Sequence, residues 1–194
     1  MFAAFLSKDS PERKLILFFV KLFLIWVSWK IIINILGTES DPIEETMFPA
    51  ISRPWQSFNY FLAKHLLILS KDILEFLGYT AYAEGRRIWI PGSGGIGFGN
   101  YCIGLQLIYY YVLLVLITPI SGTRKAIGIP VGILITFLLN LVRISSLCLI
   151  SLYAPDMMKY AHDHVFNVVV FGSMMWFYYY LTRENDPSEG GSVG

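Results

Sequence analysis

Long runs of apolar residues restrict what this chain can fold into more than any other feature of its sequence. A helix needs about 20 mostly apolar residues to cross the hydrocarbon core of a bilayer. Four segments approach or exceed that length, namely 15–36, 103–120, 126–153 and 165–181, and none of them contains an aspartate or a glutamate. The pattern predicts an all-α integral membrane protein with about four transmembrane helices.

The overall composition agrees with a membrane protein. Of the 194 residues, 55% are hydrophobic and 15% are charged, whereas about a quarter of the residues in a soluble domain are charged. A net charge of +1 excludes a nucleic-acid-binding protein that relies on bulk positive charge. We expect one polytopic membrane domain over residues 1–182 and a disordered cytoplasmic tail over 183–194, with no nucleic-acid partner.

Basic residues near the predicted spans indicate the orientation of the chain. They occur at three places: Lys8, Arg13 and Lys14 before the first span, Arg124 and Lys125 in a tight turn over 121–125, and Arg183 after the fourth span. Short positively charged flanks remain in the cytoplasm. Four spans with both termini inside satisfy this rule at all three places. The region 37–101 is then external.

The segment 58–77 also has helical periodicity. Its apolar residues recur at spacings of three and four: Leu62, Leu66, Leu69, Ile73, Phe76 and Leu77. Polar residues share the opposite face: Lys64, His65, Lys71, Asp72 and Glu75. Such a helix suits the membrane interface, and a crossing here would place Arg124 outside, against the charge rule. We predict an external amphipathic helix, although a crossing helix stays an alternative.

Glycines punctuate the stretch 82–100, which follows this helix. It contains Pro91 and lacks the GxxxxGK[ST] pattern of a phosphate-binding loop. We predict an external Gly-rich loop of turns and a short hairpin, with strands at 87–90 and 95–98.

Three reactive side chains fall at one predicted depth. Cys102 lies at the external mouth of the second span and His164 at the external start of the fourth. Arg143 is 17 residues into the third span, or about 25 Å along a helix, in the outer part of a core about 30 Å thick. Three different helices therefore bring a thiol, an imidazole and a guanidinium to the same layer.

These groups together support nucleophilic catalysis. A nearby cation lowers the pKa of a thiol, and an imidazole can take its proton and later protonate a leaving amine. A guanidinium can stabilise the oxyanion of a tetrahedral intermediate. Cys102, Arg143 and His164 therefore predict acyl transfer through a thioester, while Cys148 is expected only to pack.

Neighbouring residues support the same site. Asn140 lies one helical turn before Arg143 and can orient it, Gly104 permits close backbone approach to Cys102, and Gln106 lies one turn below. The two cysteines lack zinc-ligand spacing. We expect no metal and no cofactor.

Plainer interpretations exist for each group. A cysteine in a membrane helix is usually a small apolar filler, and a histidine at a helix start is usually solvated. An arginine inside an apolar span costs about 3 kcal/mol to insert and needs a partner. The alternative function is a non-catalytic membrane binding or assembly subunit in which Arg143 holds a partner helix or an anionic lipid.

The chain resembles the exosortase/archaeosortase family of membrane cysteine transpeptidases over roughly 78–181. Three blocks in order carry the resemblance: Cys-x-Gly at Cys102 and Gly104, Asn-x-x-Arg at Asn140 and Arg143, and a His at the head of the last span in DHVFNVVVFG. The resemblance implies a catalytic triad of Cys102, Arg143 and His164, with His162 as the competing histidine. Archaeosortases tend to carry an Arg at the third position, so a His favours the bacterial side. Larger members have about eight spans, more than this chain.

The resemblance also implies a substrate and a location. The substrate would be a secreted protein whose C-terminal signal has a short Pro-Glu-Pro-like motif, a transmembrane helix and a basic cluster. The enzyme would lie in the bacterial plasma membrane, cleave just outside it and pass the acyl group to a lipid, glycan or other surface acceptor. Arg86 and Arg87 in the external loop would receive the acidic residue of the motif, or they are simply interfacial anchors.

Overall fold

Helices make up most of the described part of the chain, residues 11–37, 46–97, 99 and 103–183 of a computed structural model. They are α1 (Pro11–Leu36), α2 (Pro49–Phe76), α3 (Leu105–Ile117), α4 (Gly122–Tyr153) and α5 (Phe166–Arg183). Short turns of 3-10, α and π type over Pro155–Val165 lead into α5. The prediction of an all-α membrane protein is confirmed.

Three helical segments among the described residues are long and apolar enough to cross a membrane: Leu15–Leu36, Gly122–Tyr153 and Pro155–Arg183. The segment 103–120, predicted as a span, forms the shorter α3 of 13 residues. At about 1.5 Å per residue, α3 is about 20 Å long, less than the core of a bilayer. Gly104 limits it at one end with a left-handed φ of 78°, and extended Thr118 followed by Pro119 limits it at the other.

The connection between α3 and α4 is shorter than the sequence suggested. The predicted turn over 121–125 is wrong in its bounds, because α4 begins at Gly122 and includes Arg124 and Lys125 in its first turn. The Ser121 hydroxyl caps α4 by accepting a hydrogen bond from Arg124 N at 3.4 Å. Lys125 Nζ donates to the Leu116 carbonyl at 2.7 Å, satisfying one of the free carbonyls at the end of α3.

The second helix begins at Pro49, nine residues before the predicted start at 58. It packs against α4 and α1. Its buried positions recur every three or four residues: Ser52, Gln56, Asn59, Ala63, Leu66, Leu67, Ser70 and Leu74. The buried face is polar or small in its first half, so hydrophobic periodicity does not reveal it. At the other end, Phe76 of the predicted apolar face is 90% exposed.

A small antiparallel sheet lies between α2 and α3 in the chain, with order β1 (Tyr82–Glu84), β2 (Arg87–Trp89), β3 (Ile96–Gly97). Ile88 pairs with Ala83 on one side and Ile96 on the other. The predicted hairpin corresponds to β2 and β3, although Phe98 lies outside the described residues, and the sequence analysis missed β1. Ile88 is completely buried, in the core that α2 and α4 share with the sheet.

A second core joins α3, α4 and α5 around Tyr111, Val115 and Met174. The Tyr111 hydroxyl donates to the Gly128 carbonyl at 2.7 Å. A Cβ at Gly132 would collide with the Tyr111 ring, so glycine at this position allows α3 and α4 to approach closely. The two cores together hold α4 against α2, α3 and α5.

Candidate functional site

Arg143 is the centre of the candidate site. It lies in the second half of α4 and is 8% exposed. Its Nη2 is 3.2 Å from Nε2 of His162 and also donates to the His162 carbonyl at 3.5 Å. Its Nε is buried and has no hydrogen-bond partner among the described residues. The site therefore contains a fixed guanidinium whose Nε–H is not satisfied by the described residues.

His162 connects Arg143 to a carboxylate. Its Nδ1 is 2.8 Å from Oδ1 of Asp163. An ionised carboxylate only accepts hydrogen bonds and a guanidinium only donates them. The hydrogen on the ring is therefore assigned to Nδ1, and Nε2 carries the lone pair that accepts from Arg143. The resulting chain of contacts runs from Asp163 through the His162 ring to Arg143.

A π turn over Ala161–Val165 carries both histidines. Wide turns of this kind inside helices are frequent at functional sites. His164 is exposed on this turn, and its ring centroid is 5.2 Å from that of Tyr160. The structure therefore brings His162 to Arg143, and it leaves His164, the histidine favoured by the motif, on the outer side of the turn.

Cys102, the predicted nucleophile, lies outside the described residues. Its chain neighbour Ile103 is buried, and the Ile103 carbonyl accepts a hydrogen bond from Asn140 Nδ2 at 3.3 Å. Gly104 packs so closely on Asn140 that a Cβ at Gly104 would collide with the amide nitrogen. Asn140, one turn before Arg143, thus anchors the chain that enters α3.

A cleft of about 450 Å³ opens beside Arg143. It is lined by Gly104, Gln106, Leu107 and Tyr110, by Asn140 and Arg143 of α4, and by Asn167, Val168, Val170 and Phe171 of α5. The structure thus brings together four of the predicted residues. Gln106 does not reach toward Arg143 through its amide, because Nε2 donates to the Tyr110 hydroxyl at 2.6 Å. One wall, formed by exposed Val168 and Phe171, is apolar.

The two loop arginines lie apart from this cleft. Arg87 is exposed on β2 and lines a separate depression of about 420 Å³ with Glu84, Trp89 and Ser93. Arg86 occupies the turn between β1 and β2. Neither residue lines the cleft beside Arg143. Any contact of these arginines with a substrate would therefore involve a part of it outside the cleft.

The model of the transmembrane exosortase family (Exosortase_EpsH) matches residues 46–180. This chain belongs to the transmembrane exosortase family. The matched segment extends from just before α2 almost to the end of α5, and it contains the cleft, the histidines and Cys102. The resemblance seen in the sequence is confirmed. No curated protein sequence and no solved structure matches this chain.

Sequence reasoning missed several residues of the candidate site. It gave no role to Asp163 or Asn167, although both lie inside the DHVFNVVVFG block, and it predicted that Tyr110 only packs or anchors the chain at the interface. Polar residues at the head of an apolar helix were the available signal. Among the described residues, no group of three or more His, Cys, Asp or Glu side chains is placed to hold a metal ion.

Proposed function

We propose that this exosortase cleaves the C-terminal sorting signals of secreted proteins at the outer face of the membrane, through a thioester on Cys102, and transfers the protein to a surface acceptor. The observation that carries the proposal is that α4 serves both halves of the site. Asn140 binds the chain next to Cys102, and one turn later Arg143 contacts a histidine at the head of the last helix.

The chemistry requires three roles. The hydrogen bond from Arg143 to Nε2 breaks as the imidazole accepts the thiol proton of Cys102, and the thiolate attacks the carbonyl carbon of the scissile peptide bond. Arg143 stabilises the resulting oxyanion, for which its Nε–H, without a partner among the described residues, is suited. Collapse of the intermediate breaks the C–N bond, the imidazolium protonates the leaving amine, and a thioester with Cys102 remains.

The second half of the reaction reverses these proton transfers. The acceptor nucleophile gives its proton to the imidazole and attacks the thioester carbonyl. The C–S bond then breaks, and the imidazolium returns a proton to the Cys102 thiolate. Water as the nucleophile yields hydrolysis, whereas an amine or hydroxyl on a lipid or glycan yields transfer.

We assign the proton-transfer role to His162. The family motif favours His164, but a base that works with Arg143 has to lie within hydrogen-bond reach of the same reacting atoms. The 3.2 Å contact between Arg143 and His162 supports His162, while the exposed His164 contacts Tyr160. The remaining predicted residues act in support: Asn140 and Gly104 position the entry to α3, and Gln106 lines the cleft.

The proposed substrate is a secreted protein with a short motif, a transmembrane helix and a basic cluster at its C-terminus. The exposed apolar wall of the cleft at Val168 and Phe171 suits a substrate that arrives within the bilayer. In this proposal, Arg86 in the turn before β2 and Arg87 in β2 attract an acidic residue of the motif. The proposed location is the bacterial plasma membrane, with both termini in the cytoplasm and the site outside.

Trapping the thioester tests this function. A co-encoded protein with such a C-terminal signal is expressed with the enzyme, and the membranes are treated with neutral hydroxylamine. We expect the wild-type enzyme and its Cys148→Ala variant both to release a product with a C-terminal hydroxamate. The hydroxamate is detected by mass spectrometry. A hydroxamate formed equally well by the Cys102→Ala variant would overturn the thioester mechanism, as would cleavage that yields no hydroxamate at saturating hydroxylamine.

A further inference from the structure

Asp163 is the outermost member of a chain of polar contacts that ends at Arg143. Its Oδ1 lies 2.8 Å from Nδ1 of His162, and Nε2 of the same ring lies 3.2 Å from Nη2 of Arg143. Both distances are within hydrogen-bond range. The two ring nitrogens of His162 therefore face groups of opposite hydrogen-bonding character.

The contacts permit a single neutral tautomer of His162. With the hydrogen on Nδ1, both contacts are hydrogen bonds: Nδ1–H donates to Asp163, and Nε2 accepts from Arg143. With the hydrogen on Nε2, the ring would present a donor to the guanidinium and a lone pair to the carboxylate, and both contacts would be lost. Both partners favour the first arrangement: Asp163 because a carboxylate only accepts, and Arg143 because a guanidinium only donates.

The backbone holds Asp163 in this position. Neighbouring side chains on a regular helix do not face each other, but both residues lie in the π turn Ala161–Val165. Asn167 Nδ2 donates to the Asp163 carbonyl at 2.9 Å and ties the turn to the first turn of α5. The carboxylate is thus presented to the ring by a local backbone arrangement.

The solvent exposure of His162 and Asp163 indicates that their contact orients the imidazole ring more than it stabilises the fold. The side chains of His162 and Asp163 are 38% and 45% exposed. Hydrogen-bonded side-chain pairs at such exposed positions contribute little to folding. A substitution of Asp163 is therefore expected to leave a folded protein whose imidazole has lost one of the two contacts that fix its tautomer.

We propose that Asp163 is a positioning residue that holds His162 in the Nδ1–H tautomer, so that Nε2 presents its lone pair toward Arg143. The link to catalysis rests on the proposed function, whereas the tautomer itself does not. A carboxylate that fixes the tautomer of a catalytic histidine is a general device in nucleophilic catalysis. The structure supplies such a carboxylate from the residue next to the histidine.

The tautomer can be measured directly by 15N NMR of the histidine rings in the full-length protein in detergent micelles. The chain has three histidines, so the His162→Gln variant identifies the signals of His162. We expect the wild type to show the 15N chemical shifts of the Nδ1–H tautomer. The Asp156→Ala variant, a matched change at an exposed aspartate of the preceding turn, should show the same shifts. Asp163→Ala should increase the Nε2–H tautomer about tenfold, with Asp163→Asn in between because its carbonyl still accepts. A predominant Nε2–H tautomer in the wild type, or no change in Asp163→Ala, would overturn the proposal.

Activity gives a second, separable result. Loss of the correct tautomer lowers kcat by about 10⁴ in a buried serine-protease triad, and for this exposed pair we expect a loss of about 10-fold in Asp163→Ala. The KM should stay unchanged, and Asp163→Asn should restore part of the rate. An unchanged kcat in Asp163→Ala would overturn the catalytic part of the proposal. If instead Cys102→Ala retained processing, the proposed function would fail, and the tautomer measurement would still decide the role of Asp163.

Discussion

Nη2 of Arg143 lies 3.2 Å from Nε2 of His162, so a charged residue in the middle of an apolar helix meets the head of the last helix. A guanidinium inside a membrane segment needs polar partners. Here one ring nitrogen and one backbone carbonyl of His162 provide them. Both groups accept hydrogen bonds from Nη2, so the guanidinium is held in a fixed orientation.

The contact predicts that the two histidines of AHDH differ in importance. His162→Gln should lower the initial rate of substrate processing by about 10² or more, the usual contribution of a general acid–base group. His164→Gln should stay within about threefold of wild type, because His164 is exposed and contacts Tyr160. The measurement is the rate of processing in membranes with equal amounts of enzyme. The opposite order of the two variants would return the role to His164.

Arg143 should not tolerate a change to lysine. A lysine keeps the charge but lacks the planar set of donors that contacts His162 and still offers Nε–H. We expect Arg143→Lys to lower kcat for processing by about 10² or more, the range found when an oxyanion donor is removed. Arg124→Lys, at the start of the same helix, should have no effect. Wild-type processing by well-expressed Arg143→Lys would contradict the role of the guanidinium.

Gly104 should be intolerant of a side chain. Its φ is +78°, and a Cβ would collide with the Asn140 amide. The left-handed conformation alone costs about 1–2 kcal/mol for a residue with a Cβ. The Gly104→Ala variant should therefore unfold at a lower concentration of denaturant than the wild type. Unfolding is measured as the loss of helicity in mixed micelles of increasing SDS fraction. Gly172→Ala serves as the matched control, since no atom lies within 4 Å of its added Cβ.

The double variant separates the two causes. Asn140→Ala removes the collision but not the backbone strain at Gly104. The cost of Gly104→Ala should therefore be smaller in the Asn140→Ala background than in the wild type. An equal cost in both backgrounds would show that the contact with Asn140 contributes nothing.

The proposed topology predicts which cysteine reacts from outside the cell. A membrane-impermeant maleimide added to intact cells should label Cys102, in the segment predicted to be external. Cys148 is 1% exposed in the core between α2 and α4 and should react only after denaturation. The Cys102→Ala and Cys148→Ala variants identify each signal. Labelling of Cys102 only after the cells are opened, with normal labelling of denatured protein, would contradict the external site.

Local sequence rules predict the parts of this protein in which one pattern dominates. The apolar runs predict α1 and α4 because length and composition agree, and the spacing of Asn140 and Arg143 predicts that they share a helix face. These rules fail where tertiary packing determines which face of a helix is buried. The first half of α2 buries Ser52, Gln56 and Asn59, and a polar buried face resembles a solvated one in a single sequence.

In the candidate site, too, some residues could be predicted from local patterns and others could not. Gly104, Gln106, Asn140 and Arg143 were predicted from motif and helix geometry, and all four line one cleft. The choice between His162 and His164 depends on the π turn, which rotates one ring toward Arg143 and the other away. An extra residue in a turn leaves no periodic signal, so the sequence alone favoured the histidine that matched the motif spacing.

Processing by the Cys102→Ala variant is the most direct test of the central claim that Cys102 is the nucleophile. The variant is expressed with a secreted protein that carries the C-terminal signal, beside Cys148→Ala as the matched control. We predict that Cys102→Ala inserts normally and abolishes processing, while Cys148→Ala retains it. Full processing by Cys102→Ala would contradict acyl transfer through a thioester in this exosortase.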